Sequence, residues 1–184
     1  MPQLSLDDLR AGAERAAGGA GLPPVEHWDP PLSGDIDIRI ARDGTWYHEG
    51  AAIERPALVR LFAGLLKREG DEYFLVTPVE KWRIQVEDAP FVLVVLEPRV
   101  DARGRRQLVF FTNVGDPVIA GPEHPLRMAA DGHGGQPAPY LLVRRNLEGL
   151  LSRPVYYQLA ELAEPAPEGE GHGVTSSGMF FPLG

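Results

Sequence analysis

At 184 residues the chain suits one large domain or two small ones, and it can bury roughly 70% of its unfolded surface without help from disulfides or metal. It has no cysteine, which excludes disulfide scaffolds, thiolate zinc sites and cysteine nucleophiles together. Its formal charge of −8 argues against broad nucleic-acid binding, which needs a basic footprint. No apolar run approaches the ~20 residues that span a bilayer. The start at Met1, Pro2 and Gln3 lacks both the basic and the apolar part of a secretory signal. A cytoplasmic protein without membrane contact is expected.

Ser5 reads as the N-cap of a first helix, with Asp8 three positions later in capping-box spacing and Leu6 and Leu9 on one face. The Gly/Pro-rich stretch at 18–24 is a linker by composition, so residues 1–24 are expected as an appendage. Ile36, Ile38 and Ile40 alternate with Asp35, Asp37 and Arg39, the period of a half-buried strand. Asp43-Gly44 predicts a primed hairpin turn into a strand from Trp46. Pro56 opens a second helix, in which Leu58, Leu61, Phe62, Leu65 and Leu66 form an apolar stripe ending at Gly70.

Strands are expected at 73–77, 82–86, 91–97 and 107–113, with Gly104 in the turn joining the last two. The run 91–96 is apolar on both faces, as in a covered central strand. Short strands at 118–119 and 126–128 sit among Gly/Pro-rich loops, and 140–143 reads as another buried strand. Asn146 is an expected N-cap, with a break at Pro154 and a fresh helical stripe through Val155, Leu159, Leu162 and Ala163. Residues 164–173 read as a tail of low order, yet Phe180 and Phe181 argue that the C-terminus packs back as a strand. Strands and helices do not alternate as βαβ units, so the fold class is α+β with mostly antiparallel sheets. Two β-rich halves, 25–86 and 87–184, each carry one helical segment.

Standard catalytic motifs are missing. Neither Lys67 nor Lys81 follows a glycine, which removes the P-loop, and no G-x-S-x-G elbow exists. The five histidines, His27, His48, His124, His133 and His172, are scattered, so no metal or cofactor is expected. Asp35 and Asp37 share a strand face and could act as paired carboxylates in a hydrolase, though a salt-bridge pattern with Arg39 is the simpler reading. Lys81 and Arg83 alternate with Trp82 and Ile84, placing two cations on one face. Such a pair suits phosphate or carboxylate, or else a solvated face balanced by Glu80, Glu87 and Asp88. Between residues 99 and 145 seven arginines face four acids, whereas 154–184 holds four glutamates and no cation.

The combination of Asp37-Ile38-Arg39-Ile40, Asp43-Gly44-Thr45-Trp46, Ile53, Leu58-Val59-Arg60-Leu61-Phe62, Thr77-Pro78-Val79-Glu80-Lys81-Trp82 and Ser176-Ser177-Gly178 resembles a bacterial family, domain of unknown function 1285. The resemblance covers nearly all of the chain after residue 24. It implies a structural duplication, a second half like pleckstrin-homology domains, and a ligand, nucleotide-like and anionic, held at the interface of the halves in a signal-transduction role. On that expectation Lys81, Arg83 and Arg144 neutralise phosphate, Trp82 stacks on a base, and Ser176 and Ser177 donate hydrogen bonds. The alternatives are a protein-interaction adaptor without a small ligand, and a hydrolase using Asp35 and Asp37.

Overall fold

A computed structural model describes residues 4–19 and 21–184. Residues 1–3 and 20, read above as the chain start and part of the linker, lie outside the described residues. The chain divides into two compact units, Met1–Glu87 and Asp88–Gly184.

The first unit begins with α1 (Leu6–Ala17), capped as its sequence predicts. The Ser5 hydroxyl accepts from the Asp8 N–H at 3.1 Å, and the Asp8 carboxylate reaches back to the Ser5 N–H. The helix is a packed element rather than an appendage: Leu9 and Ala13 are buried and α1 lies against the second helix. The strands β1 (Gly34–Ile40), β2 (Trp46–His48) and β3 (Ala51–Ala52) form an antiparallel meander. Its first turn is not the primed type, because Gly44 alone takes a positive φ of 89° and Asp43 instead accepts from the Thr45 N–H. α2 (Pro56–Ala63) then leads into a second meander of β4 (Leu66–Glu69), β5 (Glu72–Val76) and β6 (Lys81–Val86).

α2 stops at Gly64, well short of the expected Gly70. Leu65 and Leu66 are fully buried, but as the entry to β4, where Leu66 pairs with Leu75. Glycine's low helix propensity at 64 meets a sheet that also needs two apolar residues, and the sheet wins. Gly70, at φ 60°, makes the β4–β5 turn instead.

The second unit holds β7 (Phe91–Val100), β8 (Arg106–Thr112), β9 (Pro117–Ile119), β10 (Leu126–Ala129), β11 (Ala138–Arg144), β12 (Leu147–Leu151) and α3 (Arg153–Glu161). A small third sheet of β13 (Glu164–Pro165), β14 (His172–Ser176) and β15 (Met179–Pro182) closes the chain. The expected C-terminal strand is therefore present, with Phe181 buried. The tail at 164–173 is pinned at both ends by the β13–β14 pairing. Asn146 caps no helix. It lies in the β11–β12 turn beside Arg145, whose φ is 52°, and α3 starts only after Ser152. β7 is covered at Phe91, Val92 and Leu93 but exposed at Val94 and Val95, where its register with β8 shifts.

The two large sheets repeat one topology. The first runs β3-β2-β1-β6-β5-β4 and the second, taken in the same sense, β9-β8-β7-β12-β11-β10. In each, two antiparallel meanders meet through one parallel pair, β1 with β6 and β7 with β12. The α+β class is visible in this order, and the matching strand orders are the pattern expected of a structural duplication. Helix placement breaks the repeat, since α2 joins the meanders of the first unit while α3 follows those of the second. Among the described residues no helix is long and apolar enough to cross a membrane.

Candidate functional site

The parallel β1–β6 junction is irregular. Asp35 pairs with Arg83 and Arg39 with Gln85, so β1 advances four residues where β6 advances two. Such a register break re-aims side chains and opens the ladder. A cavity of about 680 Å³ lies here, lined by Asp35 and Asp37 from β1, His48 at the end of β2 and Glu49 just after it, and Trp82 and Gln85 from β6. Gly34 at its edge has a φ of 146°, and a Cβ there would come 3.3 Å from the Trp82 ring, so only glycine lets the indole lie across β1.

The polar groups of this cavity divide in two. Asp35 is committed: the Arg83 Nε donates to it at 2.8 Å, and the Arg83 Nη1 donates to Glu72 at 3.1 Å. These carboxylates raise the Arg83 pKa further above its usual value, the Asp35 hydrogen bond most of all. The side chains of Asp37, His48 and Gln85 make no hydrogen bond or ion pair with the described residues. The indole Nε1 of Trp82 is buried and also has no partner among them. Among the described residues no group of three or more acidic or histidine side chains is arranged to hold a metal.

The residues named from sequence scatter. Lys81, Trp82 and Arg83 share β6, but the two cations already have protein partners. The Lys81 Nζ donates to Glu69 at 2.6 Å and sits 4.6 Å from the Phe74 ring centroid. The carboxylates that answer them are Glu69 and Asp29 for Lys81 and Asp35 and Glu72 for Arg83, not the sequence neighbours Glu80, Glu87 and Asp88. Arg39, expected to answer Asp35 and Asp37, turns to Glu87 and stacks 4.3 Å over the Tyr47 ring.

Arg144 and the two serines belong to the second unit. Arg144 is bonded to Asp116 at 3.1 Å and lies 4.8 Å over the Phe91 ring, where burial pulls its pKa down against the opposing pull of Asp116. The Ser176 hydroxyl is fully buried and fully used, donating to the Ala120 carbonyl at 2.7 Å and accepting from the Leu108 N–H at 2.9 Å. It fastens β14 to β8 and has no further donor to offer a ligand. Ser177 lines a separate cavity described below. Sequence reasoning missed His48 and Gln85 as site residues. The one signal for them was their strand neighbours, the flagged Asp37 and Trp82.

The Lys81–Glu69 contact makes a pH prediction. The Lys81 hydrogen bond, ahead of the opposing burial, holds the Glu69 carboxyl below its usual value. The unfolded chain therefore binds this proton first as pH falls, so the stabilisation is complete above the ordinary carboxylate pKa and lost as pH drops through the folded value. Urea midpoints of Glu69→Gln should fall less between pH 7 and pH 3 than those of the unsubstituted chain. An identical pH slope in both would show that Glu69 contributes nothing to acid lability.

The family description "Domain of unknown function (DUF1285), N-terminal domain" matches residues 23–89, and "Protein of unknown function (DUF1285), C-terminal domain" matches residues 90–183. A crystal structure of a DUF1285 family protein from Silicibacter pomeroyi DSS-3 is 49% identical, covering 97% of this chain and 94% of that one, with a TM-score of 0.86. Another, from Shewanella baltica OS155, is 32% identical over 67% of this chain and 90% of that one, with a TM-score of 0.53. No curated protein matches the chain. The chain belongs to the DUF1285 family.

Proposed function

We propose that this DUF1285 protein is a small-molecule-binding protein whose ligand is held in the β1–β6 cavity of the first unit. The observation that carries this is the group of polar side chains, Asp37, His48 and Gln85, that line the cavity together with Trp82 and have no hydrogen-bond or ion-pair partner among the described residues. Unused polar groups beside an aromatic wall are the usual make-up of a ligand pocket. With Asp35 neutralised by Arg83, the lining still carries Asp37 and Glu49 and no lysine or arginine. That balance favours a planar ligand offering N–H donors or positive charge, such as the base end of a nucleotide-like molecule, over one held by its phosphates. Lys81 and Arg83 are poorly placed to take phosphate, because their own carboxylates would have to be displaced first. A cytoplasmic, signal-coupled sensor is the role we assign to such a binder, and the absence of cysteine fits a reducing compartment.

Thermal shift and calorimetry with nucleobases, nucleosides and their phosphates test the reading. Stabilisation by a base or nucleoside is expected, weaker with each added phosphate; a ligand at 100 times its dissociation constant adds about 2.7 kcal/mol. Trp82→Ala and Asp37→Asn should each weaken binding about tenfold, and Asp37→Asn, at an exposed side chain, should do so while leaving the melting temperature of the free protein nearly unchanged. No stabilisation by any of these compounds at millimolar concentration, or binding indifferent to both substitutions, refutes the proposal.

A further inference from the structure

The second unit has a cavity of its own, about 580 Å³, where one continuous stretch, residues 117–124, meets Ser177 from a turn far along the chain. Residues 117–119 of β9 supply apolar walls, the Gly121–His124 turn supplies a floor, and Ser177 of the β14–β15 turn enters from the side. The Gly121 and His124 N–H groups each donate to the other's carbonyl at 3.1 Å, which fixes the turn. The His124 Nδ1 lies 3.0 Å from the Leu142 carbonyl. A carbonyl can only accept, so Nδ1 carries the proton, and in the neutral ring Nε2 is left as an acceptor.

Ser177 stands where serine is not the comfortable residue. Its φ is 51° and that of Gly178 is 78°, the paired positive values of a primed hairpin turn, where Asn-Gly or Gly-Gly is ordinary. Holding a non-glycine residue there costs free energy. Its N–H donates to the Arg106 carbonyl at 3.0 Å, a bond that glycine would make equally well. Gly121 faces it so closely that a Cβ there would lie 3.2 Å from the Ser177 Cβ. The backbone thus admits a hydroxyl-bearing side chain that its own conformation disfavours, and brings it to the cavity that His124 and Glu123 also line.

We infer that this cavity is a second ligand site, independent of the Trp82 cavity, for a small molecule with a compact apolar body and a donor head group, an alcohol or a primary amine. The body packs on Pro117, Val118 and Ile119. The head donates to His124 Nε2 and exchanges a hydrogen bond with the Ser177 hydroxyl, while Glu123 makes an anionic head unfavourable.

The test is an amide-resolved NMR titration of the full chain with isopentanol, isopentylamine and isovalerate, three probes with one body and different heads. Shifts at Gly121, His124 and Ser177 are expected from the alcohol or the amine, whichever head binds better identifying the class, and not from the carboxylate. Ser177→Gly removes the hydroxyl and relieves the backbone, so it keeps the fold, and it should weaken binding about tenfold, as one lost hydrogen bond does. His124→Ala should do the same. No localised shifts with the alcohol or amine up to their solubility, tightest binding by isovalerate, or affinity unchanged in Ser177→Gly would each overturn the inference.

Discussion

Gly149→Ala is expected to lower the stability of the second unit by about 3 kcal/mol, the upper end for overpacking a core. Gly149 lies in β12 opposite Phe91 of β7, in the parallel pair that joins the two meanders. A Cβ there would fall 2.3 Å from the Leu93 Cδ2 and 3.3 Å from both the Phe91 Cβ and the Val143 Cγ2. The end of a leucine can usually turn aside, but Leu93 is fully buried, and close-packed interiors leave few voids for a displaced methyl. Urea unfolding should show an earlier transition in the variant. Leu93→Ala should make the two substitutions together cost less than their sum, because the second vacates what the first invades. A midpoint equal to that of the unsubstituted chain would mean that Leu93 repacks freely.

The same junction explains how one topology serves two ends. In the first unit the glycine is on the first strand and the aromatic on the last, Gly34 against Trp82. In the second unit the order is reversed, with Phe91 on the first strand and Gly149 on the last. Phe91 and Leu93, both fully buried, crowd the space beside Gly149. At the β1–β6 junction the register breaks instead, and Asp37, His48 and Gln85 gather around a cavity. Duplication of the sheet thus leaves one junction packed and the other open, and it is the open one to which we assign a ligand.

Much of this architecture is legible in the sequence, and the failures are physical. The capping box at Ser5 and the period-2 alternation of β1 depend on residues within a few positions, so local pattern predicts them. Leu65 and Leu66 mislead because a buried strand entry and a helical i+7, i+8 pair demand the same apolar residues. Asn146 misleads because the residue type that caps helices also suits turns. At the site, the Asp37 face was visible from alternation, whereas Trp82 was named through the ligand-binding expectation that the family resemblance implies. The neutralisation of Lys81 by Glu69 and of Arg83 by Asp35 was not, since the partners are 12 and 48 residues away and meet only once the strands pair. Ser176 looked like a donor on a terminal strand, and only the fold shows both sides of its hydroxyl consumed.

Trp46→Ala is expected to cost the first unit about 3–5 kcal/mol, the range for truncating a buried large aromatic side chain. Trp46 is 1% exposed and packs with Phe62 of α2, ring centroids 6.4 Å apart, so the indole is where the helix meets the first hairpin. Its Nε1 is buried and has no hydrogen-bond partner among the described residues. The indole therefore stabilises the unit by packing alone, against the penalty of a desolvated N–H of about 1–3 kcal/mol. Trp46→Phe removes that N–H while keeping a ring against Phe62, and should cost less than about 1.5 kcal/mol. The two variants separate packing from hydrogen bonding in one pair of urea melts. A loss in Trp46→Phe as large as in Trp46→Ala would mean that the indole N–H has a partner in solution, and that the junction of α2 with the hairpin rests on that bond rather than on ring contact.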